Sequence, residues 1–290
     1  MKAEARAALL FLAPAIVVLG LFFFLPVAAG LLLSLTDFDL YALGDFRAVR
    51  FVAFQNYAAV LTNRTFWLAL GNSLYFSLVG GPLTLAAALA AALLVNAKAT
   101  RWKPLFRTVY FAPVVTTLVA VAIVFRFLYH PQFGALNVAL GAIGLPRIDW
   151  LSDPRWAMPA IIVLGVWKNF GYDMVVFIAG LQAIPEELYE AARLDGAGFW
   201  RQLRHVTLPM LGPTFLFVGV VTAIGYLQIF AEPYVMTHGG PLNRTLSSVM
   251  FLYAQGFRWW RMGYAAAIAF LFCLVITAAT ALQMRFAEKR

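Results

Sequence analysis

Residues 184–213 read IPEELYEAARLDGAGFWRQLRHVTLPMLGP. This is the most polar run in a very apolar chain, and apolar stretches flank it on both sides. Pro185 suits the first position of a helix, where its missing N–H would have had no partner. Glu186, Glu187 and Glu190 follow, and acidic charge is favourable near a helix N-terminus. Glu190 and Arg193, three residues apart, can pair on one helix face. Gly196 reads as the stop, because glycine accepts the left-handed conformation that ends a helix. Gly198 and Pro209 bracket a second short helix that sets Phe199, Trp200, Leu203 and Val206 against Arg201, Gln202 and Arg204. The expected local structure is helix, glycine turn, helix, then entry into an apolar span at Leu208-Pro209.

The rest of the chain decides what such a segment sits in. Of 290 residues, 63% are hydrophobic and 12% charged, and the mean hydropathy is +0.81. Soluble domains carry about 25% charged residues, so an all-α polytopic membrane protein is the class that fits. A spanning helix needs about 20 apolar residues, and six stretches qualify: Leu9–Leu35, Phe66–Val95, Thr108–Phe127, Ala157–Leu181, Leu208–Phe230 and Met262–Met284. They form a single transmembrane domain over 1–290. The first run is too long for a signal-peptide core and lacks a clear small-x-small cleavage site, so it is expected to remain as a span. Gly80-Gly81-Pro82 inside the second span predicts a kink or a close helix approach.

One cysteine, Cys273, excludes a disulfide framework or a thiolate zinc site, and His130, His205 and His238 lie too far apart in sequence to suggest a metal cluster. No catalytic constellation is visible. The net charge of +9 does not call for nucleic acid, because the basic residues fall mostly in loops and termini. Lys98, Arg101, Lys103 and Arg107 form a compact loop without an acid, which the positive-inside rule places in the cytoplasm. Counting spans from there puts both termini and residues 184–209 in the cytoplasm as well; Lys2 and Arg6 at the start and Arg285, Lys289 and Arg290 at the end agree. Asp37, Asp39 and Asp45 face Arg47, Arg50 and Arg64 in the first outer loop, while Arg244, Arg258 and Arg261 fall outside, mildly against the charge rule.

Glu190-Ala191-Ala192, three residues, Gly196, nine residues, then Val206-Thr207-Leu208-Pro209 resembles the EAA loop of ABC-importer permeases at full spacing, with Val206 in place of isoleucine. Tyr234-Val235-Met236-Thr237-His238-Gly239-Gly240-Pro241 resembles the YVMTxGGP signature on the external side of sugar-specific permeases. Phe51–Tyr57 and Trp150–Pro154 resemble shorter stretches of the same carbohydrate branch, that of the maltose and glycerol-phosphate importers; the bland reading of the first is an aromatic belt. The resemblance covers nearly the whole chain. It implies the type I ABC-importer architecture with six transmembrane helices, in a bacterial or archaeal inner membrane. It also implies a second related permease subunit, two ABC ATPase subunits that carry ATP and magnesium, and an extracytoplasmic solute-binding protein. The coupling residues it implies are Glu190, Ala191, Ala192, Asp195, Gly196, Leu208 and Pro209; those of the outer loop are Tyr234, Thr237, Gly239, Gly240 and Pro241. The alternative for residues 184–209 is an amphipathic hairpin lying on lipid headgroups.

The residues themselves are consistent with transport rather than catalysis. No phosphate-loop motif G-x-x-x-x-G-K-[ST] occurs, so no cofactor is expected on this chain. The fourth span is the least apolar and holds Lys168, Asn169 and Asp173; ionisable groups at membrane depth face a cavity or a partner. With Trp167, Tyr172, Tyr226 and Gln228 they are the candidates for a polar solute path, since sugars take hydroxyl-directed hydrogen bonds and aromatic faces. Each could instead be interhelical glue, and Lys168 could serve a structural ion pair. A glycerol-phosphate or polyol cargo, or an ion-coupled secondary transporter, are the competing readings. An anionic cargo would want a cluster of arginines at mid-span, which is missing, although Lys168 leaves that open.

Overall fold

The computed structural model describes residues 2–44, 49–97 and 100–288. Asp45, Arg47, Lys98, Lys289 and Arg290, together with the side chains of Lys2 and Arg6, lie outside what is described. Among the described residues the structure is helical; a single bridge, Thr36 to Phe51, is the one trace of β pairing. In chain order the helices are α1 (Lys2–Leu19), α2 (Leu25–Ser34), α3 (Gln55–Thr62), α4 (Arg64–Asn96), α5 (Lys103–Val115), α6 (Leu118–Leu128) and α7 (Ala135–Ala142). After them come α8 (Ala157–Gln182), α9 (Glu186–Leu194), α10 (Phe199–Gln202), α11 (Leu208–Met210) and α12 (Gly212–Leu227). The last three are α13 (Ala231–Met236), α14 (Ser248–Tyr253) and α15 (Met262–Glu288). Five helical stretches are long and apolar enough to cross a membrane, and α5 with α6 makes a sixth if that bent pair is one span. Two compact units divide the chain.

The first unit holds residues 1–67 and 251–275. Its opening helix runs from α1 through a π turn at Gly20–Phe24 into α2, and the segment Phe11–Ser34 exposes nearly every apolar side chain, as a lipid-facing span does. The segment read as an aromatic belt has a mechanical part to play. Asn56 donates from Nδ2 to the carbonyls of Ser34 (2.9 Å) and Thr36 (2.8 Å), and the hydroxyls of Ser34 and Tyr57 share a 2.7 Å hydrogen bond. These bonds satisfy carbonyls that the end of α2 would leave open. Gly263 packs against the carbonyl oxygen of Thr36 with no room for a Cβ.

The second unit holds residues 68–250 and 276–290. Its axis is α8. One apolar cluster surrounds the first half of α8, with Met158, Ile161 and Leu164 against Phe76 and Tyr226. Another surrounds the second half, with Met174, Phe177 and Leu181 against Ala88, Ala92 and Leu211. Lys168, Asn169 and Asp173 fall between the two clusters. Close approach is built in by glycine: a Cβ at Gly165 would meet the Phe76 ring at 2.8 Å, and one at Gly80 the Tyr226 ring at 2.9 Å. Of the Gly80-Gly81 pair in the second span, Gly80 marks the close approach; α4 itself continues through Pro82.

The third span departs from expectation. The helix stops at Val115, Thr116 and Thr117 are extended, and α6 leaves at 96° to α5. Pro113 contributes by removing an N–H from the last turn, and the carbonyls of Pro113 and Val114 at the end of α5 have a partner described below. The fifth span is also redrawn. Leu208 and Pro209 belong to α11, Leu211 separates α11 from α12, and the helix breaks at Gln228–Phe230. Pro233 does not end a helix: it sits in the first turn of α13, where a missing N–H costs nothing.

Candidate functional site

A cavity of about 320 Å³ opens between the two apolar clusters of the second unit. Asn169, Tyr172 and Asp173 of α8 line one side of it, Thr222 and Tyr226 of α12 another, and Val114 and Glu232 complete the wall. Asn169, Tyr172 and Asp173 are spaced three and four apart, which stacks them on one helix face. Thr222 Oγ1 donates to Asp173 Oδ2 at 3.0 Å, pinning the buried carboxylate. The Tyr226 hydroxyl shares a 2.6 Å hydrogen bond with Thr84 Oγ1. Asn169 Nδ2 also donates to the carbonyl of Gly165 at 3.0 Å. The cavity is thus built of two buried carboxylates, an amide and two phenols, with the Phe76 ring across one end. Tyr172 is 42% exposed, so the cavity is open on one flank.

Of the seven path candidates, the structure brings together Asn169, Tyr172, Asp173 and Tyr226. Trp167 instead packs its ring 5.3 Å from Phe125, and Gln228 is exposed at the end of α12. Lys168 is not a lining group: its ammonium donates to the carbonyls of Pro113 (2.8 Å) and Val114 (3.0 Å). Glu232, a lining group, was missed because it read as part of a loop. Its signal was available, for it is the sole acid between Asp195 and Glu288.

Residues 184–209 fold as helix, turn, helix. Pro185 is the N-cap of α9 rather than its first residue. Arg193 does not bind Glu190; its Nη2 donates to Glu186 Oε1 at 2.8 Å, and its Nε to the carbonyl of Tyr189 at 3.1 Å. A separation of seven puts Glu186 and Arg193 on one face two turns apart, with the acid at the positive pole and the base at the negative one. Gly196 ends the helix with φ +72. Its N–H donates to the carbonyl of Arg193 (3.0 Å), while that of Ala197 donates to the carbonyl of Ala192 (2.9 Å). These two bonds make the Schellman cap that a glycine at this position permits. A hydrogen bond of 3.0 Å between Tyr189 Oη and Thr207 Oγ1 ties the two helices together, and Ile184, Tyr189 and Val206 pack into the lower apolar cluster. The other face is bare: Glu190, Ala191, Asp195 and Gly196 are exposed, Leu194 is 90% exposed and Trp200 77%.

The segment after α13 closes into a compact loop. Tyr234 is still helical and stacks on Phe230 at 5.1 Å. Thr237 Oγ1 donates to the carbonyl of Pro233 (3.0 Å) and meets Thr245 Oγ1 at 2.6 Å, and the latter donates to the carbonyl of Gly240 (2.7 Å). Gly239 has φ +84 and the Gly240–Pro241 peptide is cis. Asn72 of α4 anchors the loop through the carbonyls of Asn243 (2.8 Å) and Leu246 (2.9 Å). Beside it lies a second cavity of about 340 Å³, where Arg155 and Arg244 meet Asn72 and Tyr75 at the start of α8. Among the described residues no group of His, Cys, Asp and Glu could hold a metal ion.

Comparison with known proteins shows the family and the fold. Residues 7–290 match the family model of the binding-protein-dependent transport system inner membrane component. The chain is 36% identical over 280 residues to the "Probable ABC transporter permease protein YurN" of Bacillus subtilis, covering 96% of this chain and 94% of that one. It is 36% identical over 287 residues to the lactose transport system permease protein LacF of Rhizobium radiobacter, covering 97% and 94%. Among solved structures, a chain of a bacterial ABC transporter involved in the import of the acidic polysaccharide alginate shares the fold, with a TM-score of 0.84 at 23% identity, over 99% of this chain and 98% of that one.

Proposed function

The chain belongs to the family of inner membrane components of binding-protein-dependent transport systems, and from that premise we propose that it is one permease subunit of an ATP-driven sugar importer. The cavity on α8 is its half of the solute path, and residues 184–209 are its coupling segment. The observation that most supports the path is that Asn169, Tyr172, Asp173, Tyr226 and Glu232 converge on one cavity between two apolar clusters. Carboxylates and amides grip sugar hydroxyls, and aromatic faces cover sugar C–H surface. The open flank beside Tyr172 is where a second, related permease subunit would close the path. The bare Ala191 face with exposed Leu194 and Trp200 suits docking to the ATPase, which holds the nucleotide and magnesium. The basic residues Arg101 and Lys103 support a cytoplasmic position for residues 184–209 by the charge rule, and the Gly239–Pro241 loop would then face the binding protein. A neutral sugar or polyol fits better than a phosphate, because two carboxylates and no arginine line the cavity. ATP-driven closure of the partners would push on α9 and open the cavity outward.

Purification of the tagged chain in mild detergent tests the assembly. A phosphate-loop ATPase and a second six-span subunit should come with it. Recovery of the chain alone, transporting in vesicles without ATP, would instead favour an ion-coupled carrier. Asp173→Leu tests the path. It removes a sugar partner and leaves Thr222 unpaired; a lost hydrogen bond to a charged group is worth about 1.5–3 kcal/mol, so KM for the sugar should rise about ten- to hundredfold. Initial-rate uptake showing an unchanged KM would remove Asp173 from the path.

A further inference from the structure

We infer that Lys168 is a positioning residue that holds the third span broken and thereby sets the cavity wall. A break inside a membrane exposes the last carbonyls of α5, and in lipid each unpaired group costs several kcal/mol. Three donors converge on the carbonyl of Pro113: Thr116 Oγ1 at 2.6 Å, Lys168 Nζ at 2.8 Å and the Thr116 N–H at 3.3 Å. The same ammonium takes the carbonyl of Val114 at 3.0 Å. Lys168 is buried at 8% exposure, and its charge sits at the negative pole of α5. One turn along α8, Gly171 meets the Tyr110 carbonyl with no room for a Cβ. α8 therefore grips α5 at two levels in antiparallel register, by a backbone contact at Gly171 and by an ammonium at Lys168.

The grip reaches the cavity from behind. Val114, whose carbonyl Lys168 holds, is a lining residue. The ammonium thus secures one wall without itself lining the space. This account of the break stands on its own; only the consequence for solute uptake rests on the cavity being the path.

Distance measurement between nitroxide labels tests it directly. In a Cys273→Ala background, labels at the exposed positions Leu105 and Phe127 report on the two arms, α5 and α6. At 1.5 Å per residue a straight helix would separate these positions by about 33 Å, and perpendicular arms by about 20 Å. The full chain in lipid nanodiscs should give the short distance. Lys168→Met, which keeps the length but not the donors, should broaden it and shift it towards the long one. Lys168→Arg, with donors for both carbonyls, should restore the short distance. Should Lys168→Met fail to accumulate, Lys168→Gln retains one donor and should give an intermediate shift. An unchanged short, narrow distance in Lys168→Met, or in Lys168→Gln where that is the variant obtained, overturns the inference.

Discussion

Ala191→Arg is expected to insert and accumulate normally, yet to lose the copurifying ATPase and all uptake above background. The position is exposed on the bare face of α9, so the new side chain meets no core, and surface changes of this kind stay within about 0.5 kcal/mol. Arginine is also a good helix former, and the Schellman cap at Gly196 lies beyond it, untouched. What changes is the approach distance. Two alanines leave α9 flat enough for another protein's side chains to settle against it, and a guanidinium displaces them while bringing an unpaired charge into an apolar contact. Pull-down and transport assays on the same membranes decide the matter. A variant that still carries its ATPase and still transports would show that residues 184–209 lie on headgroups instead.

Gly171→Val should have the largest effect on the folded chain itself. Its Cβ would occupy the place of the Tyr110 carbonyl oxygen and press on the Phe111 backbone. Backbone atoms cannot rotate aside as a flexible side chain can, so α5 and α8 must part. Overpacking of this sort costs about 1–3 kcal/mol or more, and the separation would also draw the Pro113 and Val114 carbonyls from Lys168. A lowered melting temperature in detergent and a smaller monodisperse fraction are the expected readouts. Gly81→Ala is the matched control, because nothing lies within 4 Å of its added Cβ; it should be neutral. Equal stability of the two variants would deny the tight contact.

The contrast between Gly171 and Gly81 shows what a sequence does and does not contain. The stretches expected from apolar length at Leu9–Leu35, Phe66–Val95, Ala157–Leu181 and Met262–Met284 overlap helices long and apolar enough to cross a membrane, Phe11–Ser34, Arg64–Asn96, Ala157–Gln182 and Met262–Phe286, because that signal is local and additive. The turn at Gly196 was legible for the same reason: one residue type suits one backbone conformation. The break after Val115 was not, since its carbonyls are answered by a lysine 55 positions away. Asn169 and Asp173 announced a polar site by sitting where apolar residues belong. Their neighbour Lys168 gave the same sign and yet serves a helix end. Glu232 was hidden because the chain was taken to have left the membrane by Phe230, whereas α13 adds another turn and a half. Arg193 chose Glu186 over Glu190, a preference that depends on side-chain reach and on the competing carbonyl of Tyr189.

The joint between α8 and α9 is short, Ala183 to Pro185, and Ile184 within it is buried in the lower apolar cluster. If α9 is the coupling segment, such a joint would act as a fulcrum rather than a tether. Asp173 lies eleven residues up α8 from Ile184, a lever arm of about 16 Å. Rocking by about ten degrees at the fulcrum would sweep the carboxylate through about 3 Å, one hydrogen-bond length. A stroke too small to disturb the packing of α9 would then be large enough to let go of a hydroxyl.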